Sequence, residues 1–227
     1  MQSDTVPDQR PDPEAAVAFD RLIDWAIGAL LGVVGLLVAL GGVALYYGTD
    51  RSDVATLIRD AEFQSDILTE AEAIDALTAF GQWCGIGLVV AGAMIVLFGV
   101  AVVVAHGRAR TDGRGTPRWI LGVVGAIVSI VLGFVPFSPV VGGAAAGYLD
   151  PNQDASGIGT GIFAGLFVLL PVLVVAFFSG VGLFVGLPGE VAAVVAVSFI
   201  IAILVALAYS VGLSALGGYL GSWLRDR

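Results

Sequence analysis

Residues 25–47 and 83–105 form two runs without a single charged side chain. Each exceeds the roughly 20 residues that carry a helix across about 30 Å of hydrocarbon. Lipid offers no partner to a peptide group, so a continuous apolar run in a bilayer has to satisfy its own backbone, and a helix does that. A further apolar block runs over 119–224, broken at 150–154 and again at 188–190. Apolar residues make up 58% of the chain and charged ones 13%, far from the about 45–50% and 25% of a soluble domain. The reading is an all-α, polytopic transmembrane helix bundle.

Aromatic residues mark the edges of these runs. Trp25, Trp83, Trp119 and Trp223 each stand at the end of an apolar stretch, as do Tyr46, Tyr47 and Tyr148. Rings with one apolar and one polar edge favour the headgroup level, so they set the depth of each segment. Arginines set the direction. The 107–118 loop holds Arg108, Arg110, Arg114 and Arg118, whereas the acidic stretch 49–80 holds Arg51 and Arg59 among eight carboxylates. The first loop is expected in the cytoplasm and the second outside, with Arg10 and Arg21 placing the amino terminus inside. Four parts follow: a disordered acidic tail over 1–20, a helix pair over 21–106 with its acidic loop at 49–80, the arginine loop 107–118, and a four-helix membrane domain over 119–227. The tail lacks the positive region of a cleavable leader, and the first apolar run is long enough to stay in the membrane. Thr69 followed by Glu72 predicts a capping box at a helix start, and Ile74, Leu77 and Phe80 would give that helix an apolar stripe.

The segment GFVPFSPVVGGAAAGYLDPNQD, 133–154, resists easy placement. Eleven residues from 139 to 149 rise only about 17 Å as a helix, half of what lipid demands. If they do not cross, Arg225 and Arg227 end outside, against the charge bias; if they cross, both join the arginine side. Gly143 and Gly147 have the spacing of a close-packing face. The preferred reading is therefore a short Gly/Ala-rich crossing, enclosed by protein and entered through the Pro136/Pro139 turn, which makes about six membrane segments with both termini cytoplasmic. A re-entrant hairpin or one long kinked span are the alternatives. Gly157, Gly161 and Gly165 extend the packing pattern, as do the pairs Gly28/Gly32 and Gly217/Gly221, and Pro171 should bend its span by removing a hydrogen bond to the Phe167 carbonyl.

The chemistry of enzymes is missing. The spans hold no ionisable side chain, and such groups usually mark proton or ion paths. His106, the lone histidine, sits at a membrane edge, and Cys84 is the lone cysteine, so no metal site, serine triad or cofactor motif is expected, and the chain is not expected to be an enzyme. All ten basic residues are arginine and the net charge is -9; without a basic stripe, nucleic acid is excluded as a partner. Carboxylates without lysine suit a protein bathed in concentrated salt. Ser129, Ser138 and Tyr209 could line a polar pathway, although structural hydrogen bonding is the commoner use of such hydroxyls. The expected partners are the lipid bilayer and other membrane proteins, including further copies of the chain.

The stretch SIVLGFVPFSPVVGGAAAGYL, with its Pro136-Phe137-Ser138-Pro139 turn, Gly142-Gly143 pair and Ala146-Gly147-Tyr148, resembles a family of small haloarchaeal integral membrane domains of unknown function. The resemblance covers about 119–222. It implies a habitat and a membrane fold, and no chemistry. The expected role is a structural or interaction module of the archaeal cell membrane. The alternative is a permease or channel-like protein for a small uncharged solute, which would need a cavity joining Ser129, Ser138 and Tyr209.

Overall fold

A computed structural model describes residues 13–111, 117–150 and 157–227. Those residues form helices and connections, without a strand. Helix α1 spans Pro13–Gly48, α2 Arg51–Asp60, α3 Glu70–Thr111, α4 Arg118–Val131, α5 Ser138–Leu149, α6 Ile158–Gly186 and α7 Gly189–Arg225. Among the described residues, four helices are long and apolar enough to cross a membrane: α1, α3, α6 and α7.

Local chemistry explains the boundaries. A proline suits a first helical turn, where its missing N–H would have had no partner. Helix α1 accordingly starts at Pro13, so 13–20, expected in a disordered tail, are helical; residues 1–12 lie outside the described ones. The capping box forms as expected. Both the amide and the hydroxyl of Thr69 donate to Glu72 Oε2 at 2.8 Å, and the Glu72 amide donates to Thr69 Oγ1 at 3.4 Å. Helix α3 then continues to Thr111, taking in the first part of the expected arginine loop, whose residues 112–116 are outside the description. The acidic stretch is not one loop. Asp50 caps α2 by accepting from the Ser52 amide at 3.0 Å and the Ser52 hydroxyl at 3.2 Å, and these bonds hold its carboxyl below the usual carboxylate range. Helix α2 then lays Val54 and Ile58 on Ala73 and Ile74. Of the stripe Ile74, Leu77 and Phe80, Ile74 is buried with Ala73 and Ala76, whose small side chains let α2 and the end of α6 come close, Phe80 is half-buried and Leu77 is exposed.

Glycines set the registers. In the antiparallel pair of α1 and α3, Gly28 meets Gly99, Gly35 meets Gly92 and Gly42 meets Gly85, each glycine closing on the backbone oxygen opposite or its neighbours. Helix α6 runs back along α3, with Gly182 against Ala79 and Trp83 and Gly87 against Val175 and Phe178. Helix α7 runs antiparallel to α6, since Gly161 meets Ser214 and Gly165 meets Ser210. The start of α1, the start of α4, the start of α6 and the end of α7 therefore share one end of the bundle.

Helices α4 and α5 depart from the expected crossings. With 14 and 12 residues they rise only about 21 and 18 Å, against about 43 Å for the 29 residues of α6. They run antiparallel, with Gly125 and Ser129 against Gly142 and Gly125 also against Ala146. Arg118, where α4 begins, pairs with Asp150, where α5 ends. The pair thus enters and leaves by the same end, and its turn at 132–137 stops about halfway along α6. With this short hairpin, four helices are long and apolar enough to cross among the described residues, fewer than the six segments expected. The hairpin's cause is the break at Leu132–Phe137: Pro136 cannot continue the amide ladder, and Phe137 takes a left-handed conformation with φ 66°. The return of the chain to the arginine end, for which a short crossing was expected, is accomplished by the hairpin.

Candidate functional site

The Gly/Ala helix α5 lies between α4, α6 and α7, and its contacts are backbone to backbone. Along the parallel pair of α5 and α7, Gly143 faces the Ser214 carbonyl and Gly147 the Gly218 carbonyl. In return, Gly217 faces the Val140 carbonyl and Gly221 the Ala144 carbonyl. At each of these four positions a Cβ would collide with a carbonyl oxygen, so the helices sit at the distance that only Cα hydrogens permit. Cα–H···O contacts of this kind add a modest attraction to the packing. Ser214, fully buried, adds a stronger bond by donating to the Pro139 carbonyl at 3.0 Å.

On α6, Gly161 and Gly165 lie against the carbonyls of Ser214 and Ser210. Gly157 has a second role: it opens α6 with φ 63°, a conformation that glycine adopts without penalty. Pro136 and Pro139 belong to the hairpin turn and the first turn of α5. Pro171 lies inside α6, which remains helical through it.

The three hydroxyls expected along a polar pathway are not brought together. Ser129 is 3% exposed and wedged against Gly142, its Oγ without a hydrogen-bond partner among the described residues. Ser138 begins α5 at the tip of the hairpin. Tyr209 is 51% exposed on the outer face of α7, while its neighbour Ser210 turns inward and donates to the Gly165 carbonyl at 3.4 Å. Two surface grooves of about 300 and 260 Å³ lie elsewhere, one where α1 passes α3 and the other where α6 passes α7. Both are apolar, and neither includes any of the three hydroxyls.

At the base of the hairpin stands a polar cluster that the sequence reading passed over. Asp150 ends α5 and is 1% exposed. Its Oδ2 accepts from the Thr160 hydroxyl at 2.6 Å and pairs with Arg118 Nε at 3.4 Å. One carboxylate thereby ties the starts of α4 and α6 to the end of α5. A buried carboxylate persists where its desolvation is offset by such bonds. The signal was present: an acid directly after the Gly/Ala run, followed ten residues later by a threonine entering an apolar span. A second overlooked signal is the seven-residue spacing of Gly28, Gly35 and Gly42 and of Gly85, Gly92 and Gly99, which puts each trio on one helical stripe. The Gly28/Gly32 pair noted instead is split, since Gly32 has open space beside it.

No three metal-ligating side chains converge among the described residues, and Cys84 is a half-buried free thiol. The arrangement holds helices together. No curated protein and no solved structure matches the chain. Residues 119–224 match a family described as of unknown function, DUF5518, a likeness that covers just under half the chain, takes in the α4–α5 hairpin from Trp119 onward and ends one residue short of Arg225.

Proposed function

We propose that this protein is a non-catalytic structural or interaction module of the cell membrane, built around a rigid re-entrant hairpin. The observation that supports this reading is the closure of the bundle centre. Around α5, glycines meet carbonyl oxygens at distances that leave no space for a methyl group, and therefore none for a solute. Neither of the two grooves described above reaches Ser129, Ser138 or Tyr209. Self-association through the glycine faces is not favoured, because Gly143, Gly147, Gly161, Gly165, Gly217 and Gly221 are occupied within one chain. Partners would meet the outward aliphatic faces instead, such as Ile200, Ile201, Leu204 and Val205 on α7.

Arg108, Arg118, Arg225 and Arg227 share one end of the bundle, which supports a cytoplasmic placement for that end and for both termini. The acidic, lysine-free composition supports a setting of concentrated salt. The test is solute flux. Purified protein in liposomes should leave glycerol and urea permeation, followed by light scattering during osmotic swelling, at the rate of protein-free vesicles. Accelerated swelling, abolished by Ser129→Leu, would replace this reading with a permease.

A further inference from the structure

The last turn of α7 carries a cation that is only partly satisfied. Arg225 Nε reaches Asp226 Oδ1 at 3.2 Å. Its two terminal nitrogens, Nη1 and Nη2, are buried and have no hydrogen-bond partner among the described residues. A guanidinium stays ionised at any physiological pH, so it cannot escape burial by losing its proton. Buried donors without an acceptor are costly, and the two NH2 groups form a planar fork that matches a pair of oxygens on one atom.

The surroundings narrow the ligand. Ser222, one turn earlier on the same face of α7, is buried and lies against Gly157, where α6 begins without a side-chain cap. The uncapped amides at that start favour negative charge. Trp223 stands in the aromatic belt, and the Arg227 guanidinium sits 3.6 Å from its ring centroid, which adds a second cation at headgroup depth. Asp226 is half exposed and engages the Nε edge, leaving both Nη groups without an acceptor.

We infer that Arg225 is the anchor of a phosphate-binding site at the arginine end of the bundle, beside the start of α6. The ligand is a phosphate oxyanion, carried by a phospholipid headgroup or free in solution; the inference is independent of the structural role proposed above.

The experiment uses the full-length protein in micelles of a phosphate-free maltoside detergent. Thermal unfolding is followed as either phosphatidylglycerol or inorganic phosphate is added. Stabilisation by phosphatidylglycerol but not by inorganic phosphate identifies a lipid headgroup, and stabilisation by both identifies a general phosphate site. In either case Arg225→Gln should weaken the response about tenfold, the loss of one to two charge-assisted bonds, and should do so more than Arg227→Gln. Should Arg225→Gln fail to fold, Arg225→Lys keeps the charge without the fork and should respond more weakly than the native chain. The proposal is overturned if neither probe stabilises the native protein. It is equally overturned if the Arg225 variants respond as it does, or if Arg225→Gln and Arg227→Gln lose the same amount.

Discussion

A glycine in a membrane helix can be a space or a contact, and its neighbours decide which. Gly143 lies on the Ser214 carbonyl, a backbone atom that cannot turn aside, whereas Gly32 has nothing within 4 Å of the place where a Cβ would go. The same one-carbon change should therefore have opposite effects. Gly143→Ala should lose about 1–3 kcal/mol through overpacking. Gly32→Ala should gain about 0.5–1 kcal/mol by removing backbone freedom from the unfolded chain. Unfolding in denaturant, in mixed micelles, measures both; equal effects would remove the backbone-contact account of α5. Asp150 is the other decisive residue. Asp150→Ala leaves the buried Thr160 hydroxyl without its acceptor and Arg118 without its acid, and should cost about 1.5–3 kcal/mol, the range for a hydrogen bond to a charged group. An unchanged unfolding midpoint would show that the hairpin base is held by packing alone.

At the level of the element, the hairpin of α4 and α5 sets a turn about halfway along α6, a helix long enough to span a membrane. Irregular backbone in hydrocarbon exposes peptide groups that lipid cannot bond. Here two of the residues around the turn are prolines, which bring no N–H. The remaining amides are partly used locally, Gly133 to Ile130, Val135 to Leu132 and Ser138 to Val135 at 2.8–3.2 Å. The side chains of the turn at 134–137 are apolar and outward, with Phe134 83% exposed. A cysteine at Phe134, in a Cys84→Ala background, should consequently resist a membrane-impermeant thiol reagent added from either side. Labelling from the side of the acidic segment would return α4 to a full crossing.

Across the whole molecule, two antiparallel helix pairs and a hairpin bring the chain back to where it began. Four long helices and a re-entrant pair make an even count, so the start of α1 and the end of α7 lie together with Arg108 and Arg118. Cysteines at Arg108 and at Arg227 should both be shielded from an impermeant reagent in intact cells and exposed in inverted vesicles, and a cysteine at Asp60 should behave in the opposite way. Reaction of position 227 in intact cells would contradict the placement of the arginine end in the cytoplasm.

Much of this could be read from the letters because it depends on composition and local chemistry. Uncharged runs require helices in lipid whatever surrounds them. The Thr69–Glu72 cap closes through neighbours three residues apart. The family likeness at 119–224 likewise follows a local signature around Pro136 and Gly142. The rest turned on distances between segments far apart in sequence. That α4 stops halfway, that Gly35 meets Gly92 while Gly32 meets nothing, that Tyr209 faces outward, and that Asp150 gathers Thr160 and Arg118 all depend on helix rotation and register. A run of small apolar residues is compatible with several registers and depths at nearly the same hydrophobic gain, and only the meeting of one backbone with another distinguishes them.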